Sequence, residues 1–303
     1  LFVNSYQAMR FGPEWNELHT IRDVCGTPLK TGIYVDTCTD IGRLTDIHFS
    51  PRYWETVRLS GAGEPAENWQ RLRERLLSEA TGVDIGRSDW EYLYGVKVGG
   101  YGTGFRFAPG KQGTTNAVLY GCVAEACGVG LDVTETNAVG VSVTNCRFMG
   151  TRSGVVTRPS FSGVLQLNGC RVEGVNDRPM NLEGRGAVTV CRTQLVSRDA
   201  PAIEARAGTL VALGCGVRSA SPRITLGERV KVARVISCRV LEPRGAEGPP
   251  VPVDPGGEDV VVSAERVDLD EPREVPEGSA LPRPPSGGLV NAAAYGVSAD
   301  AKD

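Results

Sequence analysis

Several features that would assign a protein to a familiar class are scarce or missing in this 303-residue sequence. No apolar run approaches the roughly 18–20 residues that a membrane-spanning helix needs, so we expect no membrane span. The 33 basic and 36 acidic residues nearly cancel, whereas a nucleic-acid-binding protein usually carries a basic excess. Only two histidines are present, and no Cys-x-x-Cys pair or Cys/His cluster has zinc spacing. The sequence therefore predicts no metal site, no cofactor and no nucleic-acid partner.

Both ends of the sequence also lack the usual signals. The opening LFVNSYQAMRFG has no initiator methionine, no basic region and no small-residue cleavage site, as a signal peptide would have. The chain ends on GVSADAKD without a terminating element. We interpret the chain as an internal piece of a longer protein, whose targeting signal would lie outside it.

The cysteines are odd in number, nine, which argues against a complete disulfide framework. Six of them recur at intervals of 24, 24, 21, 24 and 23 residues in similar local sequences such as TNCRF, NGCRV and ISCRV. A fixed period of this length is typical of stacked repeats. The six repeating cysteines are Cys122, Cys146, Cys170, Cys191, Cys215 and Cys238.

Each repeat alternates apolar and polar residues over four to eight positions, as in GVSVTNCRF, and this is strand periodicity. We therefore predict an all-β fold, a right-handed parallel β-helix with turns of about 24 residues. Val24, Ile47 and Val96 extend the cysteine position towards the N-terminus. The 49-residue step from Ile47 to Val96 is too long for one turn, and helical spacing of apolar residues predicts an inserted α-helix near residues 64–82.

The repeating cysteines are expected to point inward as reduced, buried thiols, because equivalent side chains on parallel strands suit disulfide geometry poorly. Disulfides between neighbouring turns are the rival interpretation. The residue after each cysteine position then points outward. This outward stripe is either a solvated face or a binding surface for an anionic or hydroxyl-rich polymer. Its members are Cys25, His48, Lys97, Val123, Arg147, Arg171, Arg192, Gly216 and Arg239.

Carboxylates and large aromatic residues are concentrated before residue 92, where both histidines and all four tryptophans lie. Sugar-cleaving sites combine two carboxylates with aromatic faces that stack on sugar rings. The alternative is that the aromatic residues only seal the helix around the inserted segment. The candidate catalytic residues are Glu14, Glu17, Asp36, Asp40, Asp89 and Glu91, with no role assigned to any one of them. The candidate substrate-binding residues are Trp15, His48, Tyr53, Trp54 and Trp90.

The domain organisation follows from the change of composition near residue 240. Residues 1–240 are expected to form the β-helix, without its N-terminal turns. Residues 241–288 are rich in proline and glycine, as linkers are, with an extra strand at 258–268. Residues 289–303 are expected to begin a second β-helix domain that continues beyond residue 303.

The final stretch VNAAAYGVSADAKD resembles the opening of pectate-lyase-superfamily β-helix domains, V-N-V-x-x-[FY]-G-A-x-G-D-G. The matching residues are Val290, Asn291, Tyr295, Gly296, Asp300 and Asp303, while alanines stand at 292 and 299. The stretch PEWNELHTIRDVCGTPLKTGIYVDTCTDIGRLTDIHFSPRYW is similar to bacterial proteins of the glycoside hydrolase family 28-related or pectate-lyase-like kind. A β-helix over residues 11–240 followed by a second one also resembles glycoside hydrolase family 55, whose two β-helices cleave β-1,3-glucan.

This resemblance implies a glycoside hydrolase, or secondly a polysaccharide lyase, that acts on a polysaccharide or oligosaccharide and is secreted or on the cell surface. The aspartate trio, Gly-His-Gly and Arg-x-Lys signatures of polygalacturonases are missing from the sequence, as is a calcium-binding aspartate cluster with a lyase arginine. A catalytic acid in the second β-helix would explain that. The alternative function is a non-catalytic β-helix, such as a trimeric spike or surface protein, and a homo-oligomer fits that alternative.

Overall fold

The computed structural model describes residues 1–57, 66–219, 223–241, 251–254 and 256–263, except for the side chains of residues 66 and 67. The chain divides into two compact units, Leu1–Val267 and Asp268–Asp303, and the second unit lies outside the described residues. The expected second β-helix at 289–303 and the motif that carries the resemblance therefore lie outside them as well.

Strands dominate the described residues. The first twelve are β1 Phe2–Val3, β2 Gln7–Phe11, β3 Thr20–Thr27, β4 Thr31–Val35, β5 Gly42–Phe49, β6 Thr81–Ile85, β7 Asp89–Tyr94, β8 Lys97–Gly99, β9 Thr103–Phe107, β10 Asn116–Tyr120, β11 Val123–Val133 and β12 Val141–Thr144. The others are β13 Arg147–Thr157, β14 Val164–Asn168, β15 Arg171–Gly174, β16 Met180–Leu182, β17 Ala187–Cys191, β18 Gln194–Ser197, β19 Ile203–Leu213, β20 Gly216–Arg218, β21 Ile224–Ile236, β22 Arg239–Val240, β23 Val253–Asp254 and β24 Asp259–Ser263.

The strands pair in parallel, each with its equivalent in the next turn, and form a β-helix of about 10 turns. The predicted all-β parallel β-helix is thereby confirmed. Three faces run along the stack. The first sheet contains β3, β5, β7, β10, β12, β14, β17, β19, β21 and β24; the second contains β1, β3, β5, β8, β11, β13, β15, β18, β20 and β22; and the third contains β2, β4, β6, β9, β11, β13, β16, β19, β21 and β23. The long strands bend from one face into the next.

A single residue in the left-handed backbone conformation makes the corner between the first and second sheets. Glycine, asparagine and aspartate tolerate that conformation best, and they occupy most of these positions. The corner residues are Asp23, Asp46, Gly95, Gly121, Asn145, Gly169, Arg192, Gly214 and Ser237. The residue after each corner faces the core, which explains why the cysteines recur there.

The predicted cysteine ladder is wrong at one position, Cys191. Cys191 pairs with Asn168 and Leu213 at the end of the first sheet and is half-buried, whereas Thr193 is the fully buried residue after the corner. The Thr193 hydroxyl accepts a hydrogen bond from the Cys170 amide at 3.3 Å and donates one to the Cys191 carbonyl. All nine cysteines are free, so the rival disulfide interpretation does not describe this structure.

The outward stripe changes with that correction. Arg192 is a corner residue, and Gln194 takes its place between Arg171 and Gly216 on the second sheet. The other members pair in the expected order, from Cys25 and His48 through Lys97 to Arg239. The stripe therefore carries one basic residue fewer than predicted.

The excursion between Ile47 and Val96 contains two helices, α1 Arg52–Thr56 and α2 Ala66–Glu79. The predicted inserted helix is confirmed. The stack of turns continues directly across the excursion, because His48 of β5 pairs with Lys97 of β8. Leu76 is fully buried against the core, while the ring of Trp69 lies parallel to that of Trp54 at 5.8 Å.

The core is a continuous column of apolar side chains inside the three sheets, with phenylalanines among its largest members. Within the expected linker, β24 lies inside the range 258–268 predicted as a strand, and residues 264–268 are outside the described part. In the part of the chain that is described, no helix is long and apolar enough to cross a membrane.

Candidate functional site

An exposed row of aromatic rings lies on the outer face of the first sheet. Trp90, Tyr92 and Tyr94 alternate along β7 and share one side of the strand. Their neighbouring ring centroids are 6.1 and 6.3 Å apart, with planes within 15° of parallel. Tyr120 continues the row on the next turn, 6.4 Å from Tyr94. Trp90, Tyr94 and Tyr120 expose 40 to 46% of their surface, which is unusual for aromatic residues held so close together.

Trp90 owes its position to a β-bulge. Asn116 pairs with Asp89 and Ala117 pairs with Glu91, so Trp90 is the extra residue of β7. Its φ of 70° puts a bulky side chain in the left-handed region, which is a costly conformation for such a residue. Bulges of this kind re-aim a side chain, and strained residues cluster at functional sites. The fold accepts strain here to hold an indole ring outward.

The aromatic row continues into hydroxyl and amide side chains on later turns of the same face. Tyr120 pairs with Thr144, and Thr144 pairs with Asn168. The neighbouring outward column runs from Tyr92 to Val118 and then through Ser142, Gln166 and Thr189. The outer face of the first sheet thus offers aromatic surfaces at one end and neutral hydrogen-bonding groups beyond them.

Two candidate carboxylates, Glu17 and Asp89, lie beside the bulge on turns that are two apart. Asn16, Cys38 and Ser88 form parallel bridges at this corner, so Glu17 and Asp89 follow equivalent positions. With turns stacked about 4.8 Å apart, their Cα atoms are separated by about 10 Å. Glu17 is exposed, and Asp89 is 43% exposed and accepts a 2.6 Å hydrogen bond from Arg87.

Trp15 and Arg87 frame the same corner. Trp15 is 62% exposed, and the guanidinium carbon of Arg87 lies 5.6 Å from the centre of its ring. Arg87 also donates to the carbonyl of Cys38 at 2.9 Å. Arg87 therefore links an exposed tryptophan with the partly exposed carboxylate of Asp89. Glu14 and Asp40 are also exposed on the loops of this corner.

Asp36 ties successive turns together and is almost fully buried. Its carboxylate accepts hydrogen bonds from the backbone amides of Thr37, Arg87 and Lys111, at 2.8, 3.0 and 3.1 Å, and from the Tyr34 hydroxyl. Burial alone would raise the pKa of Asp36, but the three backbone amides outweigh burial and lower it. A carboxylate saturated in this way holds loops in place and does not face the aromatic row.

Glu91 lies in the interior with a second buried network. Its Oε1 is 3.0 Å from His19 Nε2, and its Oε2 accepts a hydrogen bond from Ser88 at 2.9 Å. On the other side of the imidazole, His19 Nδ1 is 3.7 Å from the sulfur of Cys38. Burial lowers the pKa of His19, but the hydrogen bonds to Cys38 and Glu91 dominate and raise it to about 9. His19, Cys38 and Glu91 are the described residues that group most like metal ligands.

His48, Tyr53 and Trp54 lie around the inserted helices. The Tyr53 hydroxyl and His48 Nδ1 are 2.8 Å apart, and Trp54 donates its indole N–H to Asn4 while packing on Trp69. An open groove of about 1050 Å³ runs beside them. Its lining carries charges of both signs and includes Arg52, Glu55, Trp69, Arg73, Leu77, Glu125 and Met149.

The structure thus divides the sequence-predicted site residues into separate places. Trp15, Glu17, Asp89 and Trp90 belong to one exposed corner, while Asp36 and Glu91 are turned into buried networks. Trp54 seals the inserted helix, as the alternative interpretation expected.

Sequence reasoning missed Tyr94 and Tyr120 as companions of Trp90, although the alternation of DWEYLY was a visible signal for Tyr94. It also missed the His19–Cys38–Glu91 cluster, because no local spacing connects those three residues.

Neither the models of known protein families, nor the curated proteins, nor the solved structures contain a match to this chain. The resemblance to pectate-lyase-like and glycoside hydrolase proteins therefore stays a prediction.

Proposed function

We propose that this β-helix binds a polysaccharide or oligosaccharide along the outer face of its first sheet. The observation that carries the proposal is the exposed row Trp90, Tyr92, Tyr94 and Tyr120, with Trp90 held outward by a strained bulge. Aromatic faces are amphipathic surfaces against which the C–H groups of sugar rings pack. The hydroxyl and amide side chains of the following turns supply hydrogen bonds for a chain that runs on along the sheet.

A neutral, hydroxyl-rich glycan fits this face better than an acidic one. Serine, threonine, asparagine and glutamine follow the aromatic row, and Arg43 is the basic residue that pairs directly with Tyr92. The basic stripe with Arg147 and Arg171 belongs to the second sheet. An acidic polymer would instead be expected to follow that stripe.

Retardation in native gels that contain soluble polysaccharides tests the binding. The panel includes β-1,3-glucan, β-1,4-glucan, xylan and polygalacturonate. The wild type should be retarded by at least one neutral glucan or xylan. Trp90→Ala and Tyr94→Ala should each weaken that binding about tenfold, the size of about 1.4 kcal/mol. Tyr6→Ala is the matched control, because Tyr6 is 64% exposed and lies away from the row. Equal retardation of all variants would reject the proposal.

Cleavage of the bound glycan is the second candidate function, and the placement of Glu17 and Asp89 favours it. Inverting glycosidases hold their two carboxyl groups about 6.5–9.5 Å apart, and these residues lie two turns apart at the end of the aromatic row. Release of reducing ends from the retained polysaccharide measures cleavage directly. Glu17→Gln and Asp89→Asn should each abolish release while retardation in the gel persists. Release by both variants at the wild-type rate would leave binding alone as the function.

A further inference from the structure

The His19–Cys38–Glu91 cluster is built by three successive turns of the β-helix. His19, Gly42 and Glu91 occupy the same inward position, as the pairing of their neighbours shows. The side chains of His19 and Glu91 reach each other across the middle turn because Gly42 has none. A Cβ atom at Gly42 would lie 2.3 Å from Glu91 Oε2 and 2.4 Å from His19 Nε2. The glycine is what allows the imidazole and the carboxylate to meet.

The two nitrogens of the His19 ring face different partners. Nε2 meets Glu91 at 3.0 Å, and Nδ1 meets the sulfur of Cys38 at 3.7 Å. One ligand atom of each residue lies within 4.8 Å of the other two. Ligands bound about 2.0–2.3 Å from a tetrahedral zinc ion are about 3.5 Å apart, so the three side chains would have to draw together before they could chelate one. The three groups instead form a line in space, with the imidazole between the thiol and the carboxylate. An activated cysteine nucleophile with an oriented base has this arrangement.

The cluster is closely supported on all sides. The ring of Phe11 lies against the imidazole at 4.7 Å, and Ser88 holds the second oxygen of Glu91. The Cys38 thiol also has the carbonyl of Asp40 within 3.2 Å, which fixes the direction of the sulfur. Cys38 itself is fully buried, whereas an edge of His19 keeps 8% exposure. A reagent close to water in size is therefore the kind that reaches the sulfur.

We propose that Cys38, His19 and Glu91 form a nucleophilic triad whose thiol is oxidised by small hydroperoxides in preference to the other eight cysteines. The proton that Cys38 and His19 share rests on the imidazole, and the sulfur attacks one peroxide oxygen as a thiolate. The O–O bond breaks, sulfur gives up two electrons, and the leaving oxygen takes the proton from His19. The products are the sulfenic acid of Cys38 and water.

The other cysteines provide internal controls. Cys191 is half-buried and more accessible than Cys38, but burial raises its pKa, and its neighbour Arg192 does not reverse that shift. The buried thiols of Cys127 and Cys170 have pKa values raised to about 12 by burial. Cys25 and Cys191 are the two cysteines that are not fully buried. Accessibility alone therefore predicts that one of these two reacts first, and the triad predicts that Cys38 does.

The experiment treats the native protein with hydrogen peroxide, stops the reaction with catalase at successive times, and then unfolds each sample in dimedone. Peptide mass spectrometry maps the cysteines that had become sulfenic acids in the folded protein. Cys38 should be labelled at least about tenfold faster than Cys191. His19→Gln should slow the labelling of Cys38 at least about tenfold and leave that of Cys191 unchanged. Gly42→Ala should slow Cys38 as well, because the new methyl group displaces the imidazole. Gly99→Ala is its control, since a Cβ at Gly99 meets only ordinary contacts.

Three results would overturn the proposal. Cys25 or Cys191 could react before Cys38 in the folded wild type, a comparison that does not depend on any variant folding. The labelling of Cys38 could be unchanged in a folded His19→Gln variant. The purified protein could contain a stoichiometric metal whose removal is required before Cys38 reacts, which would make the three residues ligands.

Discussion

The early and late turns of this β-helix use one inward position in opposite ways. On the first three turns this position is occupied by His19, Gly42 and Glu91, and His19 and Glu91 form a buried polar network. The same position on the following turns is apolar, with Ala117, Val141, Leu165, Val188, Leu210 and Ala233. The strand pairing is parallel throughout, so the backbone does not impose the difference. The comparison teaches that small or apolar side chains are enough to build a turn at this position. The polar side chains of the early turns are therefore not required by the backbone fold.

The outer face of the first sheet divides in the same way. Its early turns carry the strained Trp90 and the aromatic row, and its later turns carry hydroxyl and amide groups. Late turns are regular, with a buried thiol or hydroxyl after each corner residue. The aromatic row, the bulge at Trp90 and the buried His19–Glu91 pair thus all lie before residue 121, where we place the function.

Removing one partner of the early polar pair is expected to have the largest effect. Glu91→Leu leaves His19 buried without its carboxylate and should lower the free energy of unfolding by about 3–5 kcal/mol. The double variant His19→Leu/Glu91→Leu copies the late turns and should come within about 1 kcal/mol of the wild type. Urea denaturation measures both. Glu79→Leu, an exposed position on α2, is the control and should change little. A double variant as unstable as the single one would show that the early turns require the polar pair.

Asp36→Ala should cost about 3–4 kcal/mol, because three buried backbone amides on successive turns lose their acceptor. Asp40→Ala removes an exposed carboxylate from the same corner and should cost less than about 0.5 kcal/mol. Thermal unfolding followed by circular dichroism compares the two variants. Similar melting temperatures for the two variants would mean that the early turns do not need the Asp36 carboxylate to hold their loops.

The free energy of unfolding should depend on pH because of His19, which belongs to the early turns. His19 has a pKa of about 9 when folded against about 6.5 in the unfolded chain. Its contribution is complete below pH 6.5 and is lost as the pH rises through 9, by up to about 3 kcal/mol. Urea midpoints between pH 6 and 9.5 should therefore fall with pH in the wild type. The fall should be much weaker in His19→Gln. An equal fall in both proteins would assign the dependence to other groups.

Thr193→Cys should have the smallest effect. It restores the thiol that the neighbouring turns carry, at the cost of the Thr193 hydroxyl bonds to Cys170 and Cys191. Because the position is buried and the volumes are similar, we expect a change within about 1 kcal/mol. A loss of more than about 2 kcal/mol would show that the hydroxyl, and not only a small side chain, is required at this turn.

The repeat could be recognised in the sequence because each turn places one residue at a left-handed corner and the next residue in the core. The inserted helix was predicted from one overlong step and helical spacing of apolar residues, and the parallel β-helix from the cysteine pattern. That pattern failed at Cys191 because a cysteine followed by arginine matched the local sequence of the true ladder positions. The corner residue at that turn is Arg192, which lacks the glycine or asparagine signal that would have fixed the register.

The interior cluster could not be predicted in the same way. His19 and Glu91 are 72 residues apart, and the two-helix excursion lies between them. Their meeting depends on the empty side chain of Gly42, which is meaningful only once the register of three turns is known. The aromatic row was closer to prediction, since Trp90 was named, but the bulge that turns it outward depends on the pairing of β7 with β10.

The affinity of a Trp90→Ala/Tyr94→Ala double variant for the glycan that retards the wild type tests the central claim most directly. Titration calorimetry of the wild type, the double variant and Tyr6→Ala gives the three dissociation constants. The aromatic row predicts wild-type affinity for Tyr6→Ala and a loss of about a hundredfold for the double variant. A double variant that binds as tightly as the wild type would contradict the assignment of glycan binding to this face.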